Sequence, residues 1–485
     1  MFLGVDIGTS SSKAVLVSAS GKVVASATRS HGVSTPRPEW FEHDADATWW
    51  GEARALIREL GGTAGVSVIT AVGVSAIGPA LLVSDDAGRP LRPAILYGID
   101  TRAAAEIEEL TARFGEATLM DVAGNRLTSQ AVGPKLAWIR RHEPETWGKT
   151  RRWFLASGYL VFRLTGEYVA DHYSASASSP LYDLRARTWW DEAWHEIAPA
   201  VRRPRLAWPG EVVGRVTPGA AADTGLPEGT PVIAGTIDAL AEAYSAGCRE
   251  VGDTMVMYGS TLFLIQTVTA PAPHPGLWAA TGRTPATYSV AAGMATSGLI
   301  TTWFADLVQT GVPALVEAAE RIPPGSDGLV LLPYFAGERT PLFDPQARGC
   351  WMGLTLRHTR AHLYRSILEG VAYGARHNLE TMAEAGGRPR RLFAVGGGTR
   401  GSLWTQIISD VTRLRQCVPT ITVGASYGDA QMAADAAGVE TGSWNPVAHV
   451  IEPDGSTGAL YDRLYAIYLR AYPALRDDLH TLGAS

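Results

Sequence analysis

An α/β fold in two domains is predicted by three features of this 485-residue chain. Short β-branched runs alternate with long amphipathic stretches, as in proteins that layer helices on sheets. A Pro- and Gly-rich passage from Arg202 to Pro231 separates two halves, and each half opens on strand, Gly-hydroxyl turn, strand. The first opening is Phe2, Leu3, Val5 and Ile7, then Gly8-Thr9-Ser10-Ser11-Ser12-Lys13, then the apolar run Ala14 to Val17. The second is Asp253 to Met257, then Tyr258-Gly259-Ser260-Thr261, then Phe263 to Thr267. Such hairpins present backbone N–H groups to an anion, so the repeat suggests two related domains that each offer a nest to one phosphate chain. Between the openings, Val66 to Ile77 and Ala80 to Val83 read as strands, and Thr48 to Leu60 and Thr101 to Arg113 as helices. Toward the end, Leu392 to Val395 reads as a strand, Ser402 to Arg413 as a helix, and Leu460 to Leu475 as an amphipathic helix packing on a domain face. The expected domains are residues 1–235 and 236–440, followed by a tail over 441–485 that carries the terminal helix.

Composition excludes several functions. With 46% hydrophobic and 19% charged residues the chain is long enough for two sizeable cores. A net charge of -6 without a basic block leaves no electrostatic footprint for nucleic acid. No run of ~18 apolar residues and no leader pattern occurs, which argues against a membrane span and for the cytoplasm. The three cysteines, Cys248, Cys350 and Cys417, lie far apart and suggest reduced filler, not a disulfide framework or zinc site. His31, His142 and His172 lack metal or triad spacing, and Trp49-Trp50, Trp189-Trp190 and Trp194 read as core or interface anchors. A homodimer stays open.

Four places carry chemistry. Asp6 is an acid inside an apolar strand, either a solvent-facing residue or a functional one. Gly396, Gly398 and Gly401 satisfy G-x-G-x-x-G, but the stretch Gln416 to Ile421 holds no acid for a ribose, so the dinucleotide fingerprint is rejected. A Gly-rich turn entering a helix still suits close approach to a nucleotide, and Gly397 belongs to the same turn. Ile233 to Asp238 runs from an apolar strand into an acid at the domain junction. Asp238 is either the cap of the next helix or a general base that takes a proton from a hydroxyl attacking phosphorus.

The chain resembles the FGGY carbohydrate kinases, of the actin, hexokinase and heat-shock ATPase superfamily. The resemblance rests on Gly349-Cys350-Trp351-Met352-Gly353-Leu354 and, seven residues on, His362 to Gly370, which meet the family's second signature at every fixed position. Glu338-Arg339-Thr340-Pro341 adds to it, and Lys135-Leu136-Ala137-Trp138-Ile139 meets the first signature in part, with Val132 departing from it. The likeness spans Phe2 to about Gly438 and implies two ribonuclease H-like (actin-like ATPase) domains flanking a central cleft. It implies ATP and Mg2+ as cofactors and a sugar or polyol as the acceptor. By the same likeness Asp6 holds magnesium with Asp238 opposite, and Gly8, Thr9, Ser10, Ser11 and Lys13 make the first phosphate hairpin. Gly259, Ser260 and Thr261 make the second, Gly396, Gly397 and Gly398 lie beside adenosine, and Asp238 is the base.

Xylulokinases are similar in the Arg92-Pro93-Ala94-Ile95-Leu96 segment preceding Tyr97, which implies D-xylulose as the substrate, or another ketose or polyol. Gly78, Pro79, Tyr97 and Gln130 are then expected to line the sugar pocket with Asp238 at its floor. Three departures bear on this: Pro79 replaces a sugar-contacting His, Ala239 replaces an Asn after the base, and Tyr97-Gly98-Ile99-Asp100-Thr101-Arg102 is one residue longer than the usual Trp-Asn-Asp-x-Arg. A non-catalytic nucleotide switch or a sugar-binding sensor are the competing readings.

Overall fold

The computed structural model describes residues 1–64 and 69–483. The first sheet runs Val212–Arg215, Pro231–Ile233, Ala71–Ala76, Phe2–Ile7, Ser11–Val17, Val23–Ser30, with Thr236–Ile237 also paired to Ala71–Ala76. The second runs Trp278–Thr281, Tyr288–Met294, Leu262–Val268, Asp253–Tyr258, Arg391–Val395, Gln416–Pro419, Val447–Ile451. Both share one plan: an antiparallel trio, then two parallel strands beside its first member, then an antiparallel edge strand. The repeat seen in the two opening hairpins is therefore a repeat of whole sheets. The hairpins differ by a residue: Ile7 faces Ser12 across the first, whereas Tyr258 faces Leu262 across the second.

Two small-residue helices, Asp238–Ala246 and Ala425–Ala436, pack between the sheets. Glycines set how close they come. A Cβ on Gly4 would lie 1.8 Å from Ser426 O, one on Gly73 2.3 Å from Asp429 O, and one on Gly428 2.0 Å from Ala241 O. Backbone thus rests on backbone, which no other residue permits. Gly428→Ala is expected to cost roughly 1–3 kcal/mol by forcing the helices apart. Gly148→Ala is the control, because a Cβ there meets nothing within 4 Å. Urea midpoints of the two variants check it; equal midpoints would reject the close-packing account.

Several sequence expectations shift. The strand expected over Val66 to Ile77 is Ala71–Ala76, and residues 66–68 of that expectation lie outside the described residues. Thr236–Ile237 still belongs to the first sheet, and Ala425–Ala436, expected in the second domain, rests on the first sheet as well. The stretch after 440 is not an appendage. Val447–Ile451 adds an edge strand to the second sheet, and helix Gly458–Gly483 buries Tyr461, Tyr465, Tyr468 and Tyr472 in that domain's core. Trp49, Trp50, Trp189 and Trp194 are core residues as expected. Cys248 and Cys417 are buried, whereas Cys350 is half-buried. Among the described residues no single helix is long and apolar enough to cross a membrane.

Candidate active site

Asp6 stands near the carboxyl end of its strand, opposite Lys13 and beside Ser75 on the parallel neighbour. The Ser75 hydroxyl lies 3.1 Å from Asp6 Oδ1 and 2.7 Å from Asp429 Oδ2. Asp238 is the first residue of its helix, and its Oδ1 accepts from the Ala239 N–H at 2.8 Å. Asp238 is therefore not the helix cap, a place that Ile237 takes without a side-chain bond, and one of its carboxyl oxygens is left to act elsewhere. Glu242 is one helical turn on and also faces Asp6. Asp6, Asp238, Glu242 and Asp429 thus converge on one corner.

Their ionisation records the crowding. Burial pushes Asp6 up to about 6, against the pull of Ser75 and Lys13. Burial, then the charge of Asp6, drives Asp238 well above the usual carboxylate range and lifts Glu242 to about 7. Asp429 is raised in the same way, and its Oδ1 is buried with no hydrogen-bond partner. Lys13 relieves this only in part, since its ammonium donates to Val423 O at 2.9 Å. An all-oxygen, over-acidic corner with an orphaned carboxylate oxygen fits a hard divalent cation. Among the described residues no group of three or more acids, histidines or cysteines stands arranged to hold a metal ion directly.

A cavity of about 280 Å³ opens between the domains over this corner, and Asp6, Gly78, Pro79, Tyr97, Gln130, Asp238 and Thr261 all line it. The structure thereby brings the expected sugar-pocket residues together with the two acids and the second hairpin. Tyr97 OH lies 3.0 Å from Thr9 Oγ1, joining this pocket to the first hairpin. Gln130 Oε1 accepts from Gly98 N at 3.3 Å, which orients its amide. Gly396 to Gly398 lie outside the cavity lining. They pack instead on the second hairpin, where a Cβ on Gly396 would meet Tyr258 O at 2.6 Å, while Gly397 is open on its side-chain face.

Sequence reasoning missed part of the site. Glu242, Asp429 and Ser75 read as ordinary helix and strand residues. Trp278 and Phe263, whose rings stack with centroids 6.4 Å apart, give the cavity its aromatic wall. Arg339 reaches it too, with Nη2 donating to Met294 O at 2.7 Å. Its signal was the Glu338-Arg339-Thr340-Pro341 segment, read for family likeness and not for position.

The neighbouring Glu338 has a pH signature. Burial pushes its carboxyl up to about 8, although Oε1 accepts from Ala295 N at 2.7 Å and Arg339 N at 2.8 Å. Between its ordinary value and about 8 the folded state holds a proton that the unfolded state has released, so stability falls as pH rises through that window. Melting temperature should therefore decline from pH 5 to pH 8 in the ligand-free protein, and Glu338→Gln, of the same shape without the charge, should flatten the decline. Parallel curves for the two proteins would count against it.

Two repeated sheets, each with a Gly-hydroxyl hairpin, and acids lining the cavity between them define a two-domain α/β architecture with a central cleft. The comparisons supply the particular family. Residues 1–244 match the FGGY family of carbohydrate kinases, N-terminal domain, and residues 254–437 match its C-terminal domain. The chain belongs to the FGGY family of carbohydrate kinases and is an ATP-dependent sugar kinase. It is 30% identical over 492 residues to a xylulose kinase of Escherichia coli (strain K12), covering 98% of this chain and 99% of the relative. A glycerol kinase of Nocardia farcinica is 30% identical over 467 residues, covering 91% and 90% of the two chains. The crystal structure of xylulose kinase from Rhodospirillum rubrum superposes with a TM-score of 0.92 at 36% identity, covering 99% of each chain.

Proposed function

We propose that this kinase transfers the γ-phosphoryl group of ATP, with magnesium, to a hydroxyl of a ketose, D-xylulose being the best single candidate. The observation that carries the reading is Asp238, a carboxyl on the floor of the interdomain cavity, beside Asp6 and below the second hairpin. The acceptor hydroxyl sits over Asp238, whose free oxygen takes the proton as the oxygen attacks phosphorus. Thr9 to Ser11 and Ser260 to Thr261 direct N–H groups at the transferred group, where charge spreads in the transition state. Gly397 leaves room for the nucleotide to lie against the backbone. Magnesium, when bound, would supply positive charge against the phosphates; Asp6 would hold it, with Asp238 beside it. Lys13, tied to Val423, tempers Asp6 instead of reaching for phosphate. We place the reaction in the cytoplasm, where ATP is supplied.

Tyr97, Gln130 and the Gly78-Pro79 turn bound the sugar, and Trp278 offers a ring face to its C–H side. Pro79 and Ala239 offer no side-chain hydrogen bond, so hydroxyl discrimination falls on fewer groups. Coupled ADP release over a panel of pentuloses, hexuloses, deoxyketoses and polyols tests the reading. D-xylulose should give the highest kcat/KM. Absence of sugar-stimulated ADP release from folded protein would reject it.

A further inference from the structure

The first phosphate hairpin is gripped from behind by two histidines. His31 N donates to Ser10 O at 2.9 Å, and its ring Nε2 lies 3.2 Å from Gly8 O. His43 Nε2 lies 3.2 Å from Thr9 O. Three consecutive hairpin carbonyls, those of Gly8, Thr9 and Ser10, are thus each taken by a group from His31 or His43. The N–H groups of Thr9 and Ser10 have no hydrogen-bond partner among the described residues. Drawing the carbonyls one way leaves these donors on the hairpin's other side, as an anion nest requires.

Each ring is itself anchored. Trp49 Nε1 donates to His43 Nδ1 at 3.2 Å, so the His43 proton sits on Nε2, aimed at Thr9 O. His31 Nδ1 lies 2.9 Å from Glu52 Oε2, which also accepts from Ser12 Oγ at 2.5 Å. Both ring nitrogens of His31 thus face oxygens, Nδ1 that of Glu52 and Nε2 that of Gly8. The two rings meet edge to face at 5.1 Å. A purely packing role would not need every hairpin carbonyl addressed.

We propose that His31 and His43, held by Glu52 and Trp49, are positioning residues for ATP: they fix the hairpin peptides so that Thr9 and Ser10 N–H groups meet the phosphates without reorganising. The inference rests on the reading of Gly8 to Ser11 as a phosphate hairpin. Its test is a split in kinetic constants, with folding checked by melting. His31→Ala should raise the KM for ATP about tenfold while the KM for sugar changes less than twofold. His31→Gln, whose amide can still donate to Gly8 O, should recover part of the loss. Glu52→Gln, at the half-buried far end of the relay, should show an intermediate rise in ATP KM, and it decides the matter if His31→Ala does not fold. An unchanged ATP KM, or equal rises in both constants, overturns the proposal. Gly8→Ala separates the two claims, because a Cβ there lies 2.9 Å from Ser11 O and must displace the hairpin. If Gly8→Ala weakens ATP and the His31 variants do not, the positioning role fails while the hairpin reading stands. If Gly8→Ala is also silent, the hairpin reading fails.

Discussion

Asp238→Asn should lower kcat with the preferred sugar by about 10²- to 10⁴-fold, the range that general-base help supplies. The amide keeps the helix-start contact, because its oxygen still accepts from Ala239 N as the carboxylate does at 2.8 Å. What it loses is the basic oxygen proposed to take the proton of the acceptor hydroxyl. The substitution also removes an ionisable group crowded by burial and by Asp6, so the ligand-free variant should melt no lower than the wild type. Loss of turnover with retained or raised stability thus separates chemistry from folding. Near wild-type turnover would show that Asp238 is not the base.

Asp6→Asn should act on a different variable. Its carboxylate is expected to hold the metal through water, and removing such outer contacts typically costs about 10- to 100-fold in metal affinity or activity. The magnesium concentration for half-maximal rate should rise by that order, with much of kcat returning at saturating magnesium. Ser75 can still donate to the amide oxygen, so the strand stays satisfied. Magnesium should not rescue Asp238→Asn. A magnesium titration of both variants gives two distinct curves; a single shared behaviour would mean that the two acids do not divide the work.

Both predictions grew from features legible in the sequence, because both acids break a local pattern. Asp6 is polar where its strand wants a hydrophobe, and Asp238 ends an apolar run just where a helix begins. The hairpins were legible for the same reason: turn chemistry is decided among adjacent residues. Glu242 and Asp429 were not, since an acid on a helix reads as a solvated face until packing buries it. His31 offered no spacing to any metal or triad partner, yet the structure joins it to Gly8, 23 residues away, and to Glu52, 21 away. Trp278 was hidden in a strand while the Trp pairs drew notice, and of those Trp49, Trp50 and Trp189 are core and Trp190 packs half-buried against it.

The one-dimensional chain determined the α/β class, the repeated hairpins, the family signature and the two acids, since each depends on residue types at short spacing. Tertiary structure alone decided which groups share the corner with Asp6, where Ser75 meets Asp429 across 354 residues of chain. That meeting depends on strand register and on glycines that let a helix touch the sheet backbone, and neither leaves a periodic trace in sequence. It also placed the stretch after residue 440: Val447–Ile451 and Gly458–Gly483 complete the second sheet and core, because an edge strand and a row of tyrosines find burial only once that sheet exists.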